Sequence, residues 1–472
     1  MKYSVITFGC RVNQADSLGF EEELRAAGAV AVAPDRADLI VVNTCSVTAT
    51  ADQGARQTIR RIARDNPGAR IVVTGCYATR RPDEVGELPN VVRVIPNDDK
   101  PRLIPILRAH LVGADLHVRP GLTKKATAET AETAERFMVS ANSAGSAVTL
   151  STAERFGDGD GSCGATIEPG VAGRTAFTLR VQTGCAELCS YCIIPATRGA
   201  PRSVAPEAVI AEVDRVTAAG FKEVALTGVH LGSYGRDLNP ASSLFELLRA
   251  LDGAPLGRVR LPPSHEASAD LLFRISSLEP MDCTRDIVDL VAASPRFAPH
   301  FHLPLQHASN RVLARMRRPY TIEHYAALVD DIRARIPDAS IGSDLIVGFP
   351  GEADDDFEQL ASYLERSPLT HVHVFPYSDR PGTVASAIGD RAPGAVIRER
   401  ARRIREIGQR LTVRFRDSQV GTVHRALTLE DGSLAVTDNY LKIRIPPGRR
   451  RNEWVDVKIV EVRDTMIGEP VQ

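Results

Sequence analysis

Apolar runs that end on cysteine recur along the first part of the chain. "KYSVITFGC", "ADLIVVNTC" and "ARIVVTGC" are short, rich in Val and Ile, and read as buried strands. Between them, the apolar positions of Ser17–Ala27 and Ala51–Arg64 recur at helical spacing. The pattern predicts a βαβαβ start. Parallel strands joined by such crossovers all end on one edge of the sheet, where open α/β sheets bind their ligands. Cys10, Cys45 and Cys76 each close a strand, so all three are expected to converge on that edge.

From about Gly121 to Arg174 the pattern gives way to Ala, Thr, Ser and Gly, with local repetition in "TAETAETAE" and "GDGDGS", and this stretch reads as a linker. Strand-like runs then resume in "FTLRVQ", "KEVALTGVHL", "FRISSLEP", "HFHLPLQ", "SIGSDLIVGFP" and "HVHVFPYS". Helical stretches such as Pro206–Ala219 and Ile322–Ile336 separate them. Such alternation predicts a (β/α) barrel, open or closed. Past Ala395 comes an Arg-rich helical pattern, then short alternating runs with turn residues between them, which predict a small antiparallel β-barrel. The expected fold is therefore α/β with three ordered parts. A parallel α/β domain covers residues 1–120, a linker 121–174, a partial (β/α) barrel 175–405 and a small β-barrel 406–472.

Composition narrows the chemistry. The 472 residues are 43% hydrophobic, enough for more than one core. Lys and Arg total 58 against 59 Asp and Glu, so any nucleic-acid surface is a local patch. No apolar run is long enough to span a membrane and the N-terminus lacks a secretory pattern, so a cytoplasmic protein without membrane contact is expected. Thiols stay reduced there, and eight cysteines then point to metal ligands or reactive groups more than to disulfides.

The chemical signal is densest in "RVQTGCAELCSYCIIPATRG", where Cys185, Cys189 and Cys192 have the spacing C-x3-C-x2-C after a predicted strand. Three thiolates on one loop suit a [4Fe-4S] cube, holding three irons and leaving the fourth without a protein ligand. Structural zinc is the alternative, but it usually takes four ligands in paired C-x2-C groups, and no second pair follows. Cys10, Cys45 and Cys76 can hold a second cluster in the same way; buried core thiols are the alternative for them. Cys163, in the linker, and Cys283, after "EPMD", have no neighbours at ligand spacing and read as incidental.

The C-x3-C-x2-C loop after the first barrel strand resembles that of the radical S-adenosylmethionine (SAM) enzymes. "LTGVHLGSYG", "RISSLEP", "LPLQHASNRVLARMRRPYT" and "SDLIVGFPGE", together with the three N-terminal cysteines, resemble the methylthiotransferase branch over nearly the whole chain. The resemblance implies two [4Fe-4S] clusters. The open iron of the barrel cluster would chelate SAM and cleave it to a 5'-deoxyadenosyl radical, which takes hydrogen from an unactivated carbon. Chemistry of that kind belongs to the cofactor, while the protein orients the partners. The second cluster would carry the sulfur to be methylated and inserted.

Further candidates sit at predicted strand ends, where barrel sites lie. Gly228 opens a loop whose amides are expected to approach the SAM carboxylate, unless it is an ordinary β-to-α turn. Ser277, Glu279, Gln306 and Asp344 are polar groups placed to bind the cofactor, or else helix caps or surface residues. His300, His302, His371 and His373 alternate along strands; with no carboxylate at matching spacing they read as hydrogen-bonded barrel residues, not metal ligands. Near the C-terminus, "PPGRRRNEW" with Tyr440 and Trp454 suggests phosphate contacts and stacking on RNA, and the module resembles the TRAM domain. The Arg398–Arg416 cluster, interleaved with Glu, reads more as a solvated helix face.

Within the family, "GCRVNQADS", "GVHLGSYGRD" and "VLARMRRPYT" are most similar to the type that acts on N6-threonylcarbamoyladenosine beside the tRNA anticodon. That implies the anticodon stem-loop, a one-electron donor and a sulfur donor as partners, with a monomeric enzyme expected. Isopentenyladenosine in tRNA, a ribosomal-protein aspartate, or a non-catalytic Fe-S RNA-binding role are the alternatives. Two features depart from the family pattern: "LQHAS" where "LQSGS" is common, and an insert at about residues 256–272.

Overall fold

The computed structural model describes residues 1–112, 175–255 and 271–471. The linker at 121–174 with Cys163, and the insert apart from its last two residues, lie outside the described residues. No helix among the described residues is long and apolar enough to cross a membrane.

The N-terminal unit is built on five parallel strands: β1 (Lys2–Thr7), β2 (Val30–Ala31), β3 (Leu39–Thr44), β4 (Arg70–Gly75) and β5 (Val91–Ile95). They lie in the order β2-β1-β3-β4-β5, so the three cysteine-ending strands are neighbours, as expected. Burial on both faces explains their unbroken apolar runs: Ile40, Val42, Ile71 and Val73 pack on one side, Leu39, Val41 and Val72 on the other. The edge strands β2 and β5 were not expected. The first helix also starts earlier than the sequence pattern suggests, at Arg11, and runs to Ala26. Ser17 resembles a helix cap in sequence but is buried inside the helix, where its hydroxyl accepts from Thr7 Oγ1 at 2.7 Å and Asn43 Nδ2 at 3.0 Å.

The second unit carries the barrel. Its strands are β6 (Phe177–Arg180), a small ladder of β7 (Gln182–Thr183) with β8 (Arg202–Ser203), then β9 (Glu223–Thr227), β10 (Leu272–Ile275), β11 (His300–His302), β12 (Ser340–Val347) and β13 (His371–Pro376). Two parallel sheets form, β10-β9-β6 and β11-β12-β13. A parallel bridge between Phe273 and Phe297 and a bond from Leu278 N to His302 O (2.9 Å) continue one into the other. The result is a partial barrel whose free edges are β6 and β13.

Helix Gly394–Ser418 packs on β13, with Gly408 against Val372; His371 and His373 therefore point to the barrel interior. Arginines on this helix pair with carboxylates on it and on helix Asp354–Arg366: Arg402 with Glu399 at 2.5 Å, Arg410 with Glu365 at 3.2 Å, and Arg403 with Glu358. The cluster braces two helices, in line with the expectation of a solvated face.

A closed antiparallel barrel follows: β14 (Val423–Leu429), β15 (Leu434–Thr437), β16 (Lys442–Arg444), β17 (Trp454–Val462) and β18 (Met466–Pro470), in the order β14-β15-β16-β18-β17. Ala426, Ile443, Val457, Ile459 and Met466 fill it. Its Asp438–Tyr440 turn plugs the end of the larger barrel where the strands begin. Asn439 Nδ2 donates to Asp338 O at 2.9 Å, and the Tyr440 ring lies under Arg274 (4.4 Å) and edge-on to His300 (4.9 Å). Tyr440 is therefore engaged by the barrel, and Trp454 by the Arg425 guanidinium 3.9 Å above it. Tyr440 nevertheless stays 45% exposed and Trp454 partly exposed.

Candidate active site

The C-x3-C-x2-C loop is closed at its neck. β7 pairs with β8, and Cys185 N donates to Gly199 O at 3.0 Å, so the segment between them is a cinched loop at the strand ends. Gly184 permits the closure, since it takes a φ of 75° and a Cβ there would sit 1.9 Å from Ala200 O. Ser190 anchors the tip: its N–H donates to Met316 O (3.0 Å), its hydroxyl to Arg315 O (2.8 Å), and its carbonyl accepts from Ala385 N (2.7 Å).

Donors converge on the sulfurs. Arg318 Nη1 reaches Cys189 Sγ at 3.1 Å, and Glu187 N reaches Cys185 Sγ at 3.4 Å. His230 stands beside Cys185; burial lowers its pKa, but the hydrogen bonds to Asp282 (2.9 Å) and Cys185 outweigh that and bring it up to about 9. Cys192 shows the opposing force. Burial pushes its thiol up to about 12, and the charges of Cys189 and Cys185 add to the rise. Thiolates whose charges raise one another in this way need a cation to offset them, which iron supplies. The donor set therefore fits an iron-sulfur cluster. Arg318 and His230 were missed from sequence as site residues, although both stand inside the quoted motifs "MRRPYT" and "GVHLGSYG".

In the N-terminal unit, Cys45 follows β3 and Cys76 follows β4 directly, both buried, while Cys10 lies three residues beyond β1 and is exposed. Gly75 lets the two strand ends crowd together, with a φ of 98° and a Cβ position only 2.2 Å from Thr44 O. The Asn97 amide donates to Cys76 Sγ at 3.7 Å. Cys283 is buried without a ligand set, and burial pushes its thiol up to about 12, as suits an inert thiol.

Among the other candidates, Gly228 leaves room for Gln182, whose Oε1 accepts from Val229 N (3.0 Å) and His230 N (2.9 Å). Glu279 is ion-paired with Arg318 and so is linked to Cys189. Gln306 takes a φ of 66° and bridges to β12 through a bond from its N–H to Asp344 O (2.8 Å). Ser277 Oγ lies 2.9 Å from His302 Nδ1. Asp344 lies 3.2 Å from both His302 and His373, so the sequence reading of these histidines lacked a carboxylate that the neighbouring strand supplies. Burial would raise the Asp344 pKa, but these imidazoles hold it well below the usual carboxylate range.

The chain carries a cinched three-cysteine loop at the strand ends of a partial parallel barrel, and residues 179–364 match the radical SAM superfamily. Residues 2–96 match the uncharacterized protein family UPF0004. The chain is 34% identical to the threonylcarbamoyladenosine tRNA methylthiotransferase MtaB of Aquifex aeolicus, over 94% of this chain and 96% of that protein. Its identity to the Bacillus subtilis protein of the same name is 30%, over 98% and 94%. The chain belongs to the radical SAM methylthiotransferase family, as a relative of the MtaB proteins. Among solved structures, the radical SAM methyltransferase TsrM from Kitasatospora setae has a similar fold, with a TM-score of 0.52 at 17% identity, over 82% of this chain and 75% of that one.

Proposed function

We propose that the protein adds a methylthio group to C2 of N6-threonylcarbamoyladenosine at position 37 of tRNA. Cys185, Cys189 and Cys192 hold one [4Fe-4S] cluster; Cys10, Cys45 and Cys76 hold another. The observation that carries the reading is the cinched Cys185–Cys192 loop with Arg318 and His230 aimed at its sulfurs, in a chain related end to end to MtaB proteins.

When bound, the barrel cluster and SAM supply the radical that activates an inert carbon. The chain's own residues position and shield. Arg318, fixed by Glu279 and Tyr320, neutralises thiolate charge at Cys189, and His230, fixed by Asp282, does so at Cys185. Gly228, Ser277, Glu279, Gln306 and Asp344 line the strand ends where SAM would be oriented. The module at 406–472 offers exposed Lys442, Arg444 and Arg450 to the anticodon stem-loop.

Nucleoside mass spectrometry of tRNA from cells lacking the gene tests the substrate. The 2-methylthio form of threonylcarbamoyladenosine should vanish, return with the wild-type gene and stay absent with Cys185→Ala. The Kineococcus radiotolerans protein named tRNA-2-methylthio-N(6)-dimethylallyladenosine synthase is 31% identical over 95% of this chain. Loss of the 2-methylthio dimethylallyl nucleoside instead would move the substrate to that type. Anaerobic reconstitution should load roughly eight irons per chain, from two cubes. An unchanged iron content in the Cys10/Cys45/Cys76 triple alanine variant would remove the second cluster.

A further inference from the structure

The interior face of β11, β12 and β13 gathers a second donor set, made of nitrogen and oxygen. Register places Asp344 opposite His373 and Gly342 opposite both His302 and His371, so one face presents imidazoles on either side of a single carboxylate. Gly342 makes the gathering possible, because a Cβ there would lie 2.1 Å from His371 Nε2. Asp344 Oδ1 is 3.2 Å from His302 Nε2 and 3.2 Å from His373 Nδ1. One ligand atom from each of the three residues lies within 4.8 Å of the others, the one such group among the described residues.

His302 supplies the decisive detail. Its Nε2 is shielded from solvent and has no hydrogen-bond partner, although Asp344 is near, while its Nδ1 lies 2.9 Å from Ser277 Oγ. Protonated on Nδ1 and donating to Ser277 Oγ, His302 would turn its Nε2 lone pair toward a cation held with Asp344. That is the tautomer and outer support of a metal-ligating histidine.

We propose that His302, Asp344 and His373 form a divalent transition-metal site whose nitrogen and oxygen ligands are distinct from the cysteine sets. Two imidazoles and one carboxylate suit Fe2+, Mn2+, Co2+ or Zn2+ and leave positions open for water or an anionic oxygen of a ligand. The side chain of His373 is 60% exposed, so a metal can enter from its side.

Mn2+ is the right probe, because it favours oxygen and nitrogen over the thiolates that hold the clusters. The cluster-loaded protein, without RNA or SAM, is titrated anaerobically with Mn2+, and free Mn2+ is counted by electron paramagnetic resonance. About one Mn2+ per chain should bind. Asp344→Asn and His373→Ala should each weaken binding by roughly tenfold or more, with cluster absorbance and iron content unchanged as the check on folding. No uptake by the wild type, or uptake unaltered in both variants, overturns the site. The readout needs no tRNA, so its failure leaves the tRNA reading untouched, and failure of that reading leaves the metal site standing.

Discussion

Arg318 donates through Nη1 to Cys189 Sγ at 3.1 Å while Glu279 and Tyr320 hold the same guanidinium from behind. A cationic donor on a ligating sulfur favours the more negative, reduced cluster. Arg318→Met should therefore lower the midpoint potential of the barrel cluster. A differential of ~1 kcal/mol corresponds to about 40 mV for one electron. Arg318→Lys keeps the charge and should fall between the two. A redox titration read by electron paramagnetic resonance decides it, and an unmoved potential in Arg318→Met would assign the arginine to packing alone.

His307 and Glu352 explain one departure from the family pattern. The motif "LQHAS" places His307 in a fully buried position with Nε2 3.6 Å from Glu352 Oε2, while Glu352 Oε1 holds Arg400 at 2.6 Å and Oε2 accepts from Gly348 N at 2.7 Å. Glu352→Ala leaves Arg400 with the exposed Asp354, at 2.6 Å, as its carboxylate partner and should cost about 3 kcal/mol. His307→Ser leaves a cavity and should cost about 2 kcal/mol. Urea unfolding of each variant against wild type measures both, and equal losses would show that His307 matters as much as the ion pair.

Much of this architecture was legible because apolar runs and Cys positions are local signals. β3 and β4 announce themselves by Val and Ile buried on both faces, β1 by a shorter, partly buried run, and the C-terminal barrel by alternation. What escaped depends on tertiary contact. The helix at Arg11 was placed too late because buried Asn13 and Asp16 interrupt its apolar period, and Asp16 is buried only because Lys100 Nζ meets it at 2.5 Å. β5 carries Arg93 within a short run, and β2 has two residues, too few for a period. Asp344 joins His302 and His373 through register across three strands, which no spacing along the chain encodes. The contacts of Tyr440 with Arg274 and His300 escaped because both lie far away in sequence.

Gly342 should tolerate no side chain. Gly342→Ala drives a methyl group into the His371 ring, and overpacking of that kind costs about 1–3 kcal/mol. The thermal midpoint should fall, and Mn2+ uptake should weaken with it as the imidazoles shift. A variant as stable as wild type would mean that His371 rotates away freely.

Asp356 gives the barrel helices an acid limit. Burial would raise its carboxyl pKa, but Arg311, the Ser309 hydroxyl at 2.6 Å and Ala353 N at 2.8 Å bring it down to about 2. A carboxyl with a depressed folded pKa contributes stability that is complete above its unfolded value, near 3.8, and is lost as pH falls through its folded value. Wild type should therefore exceed Asp356→Asn in urea midpoint at pH 6, with the gap constant down to about pH 4 and closing toward pH 2. Circular dichroism on cluster-free protein follows this without interference from iron lost in acid. A gap that stays constant across the whole range would show that the amide replaces the carboxylate at no electrostatic cost.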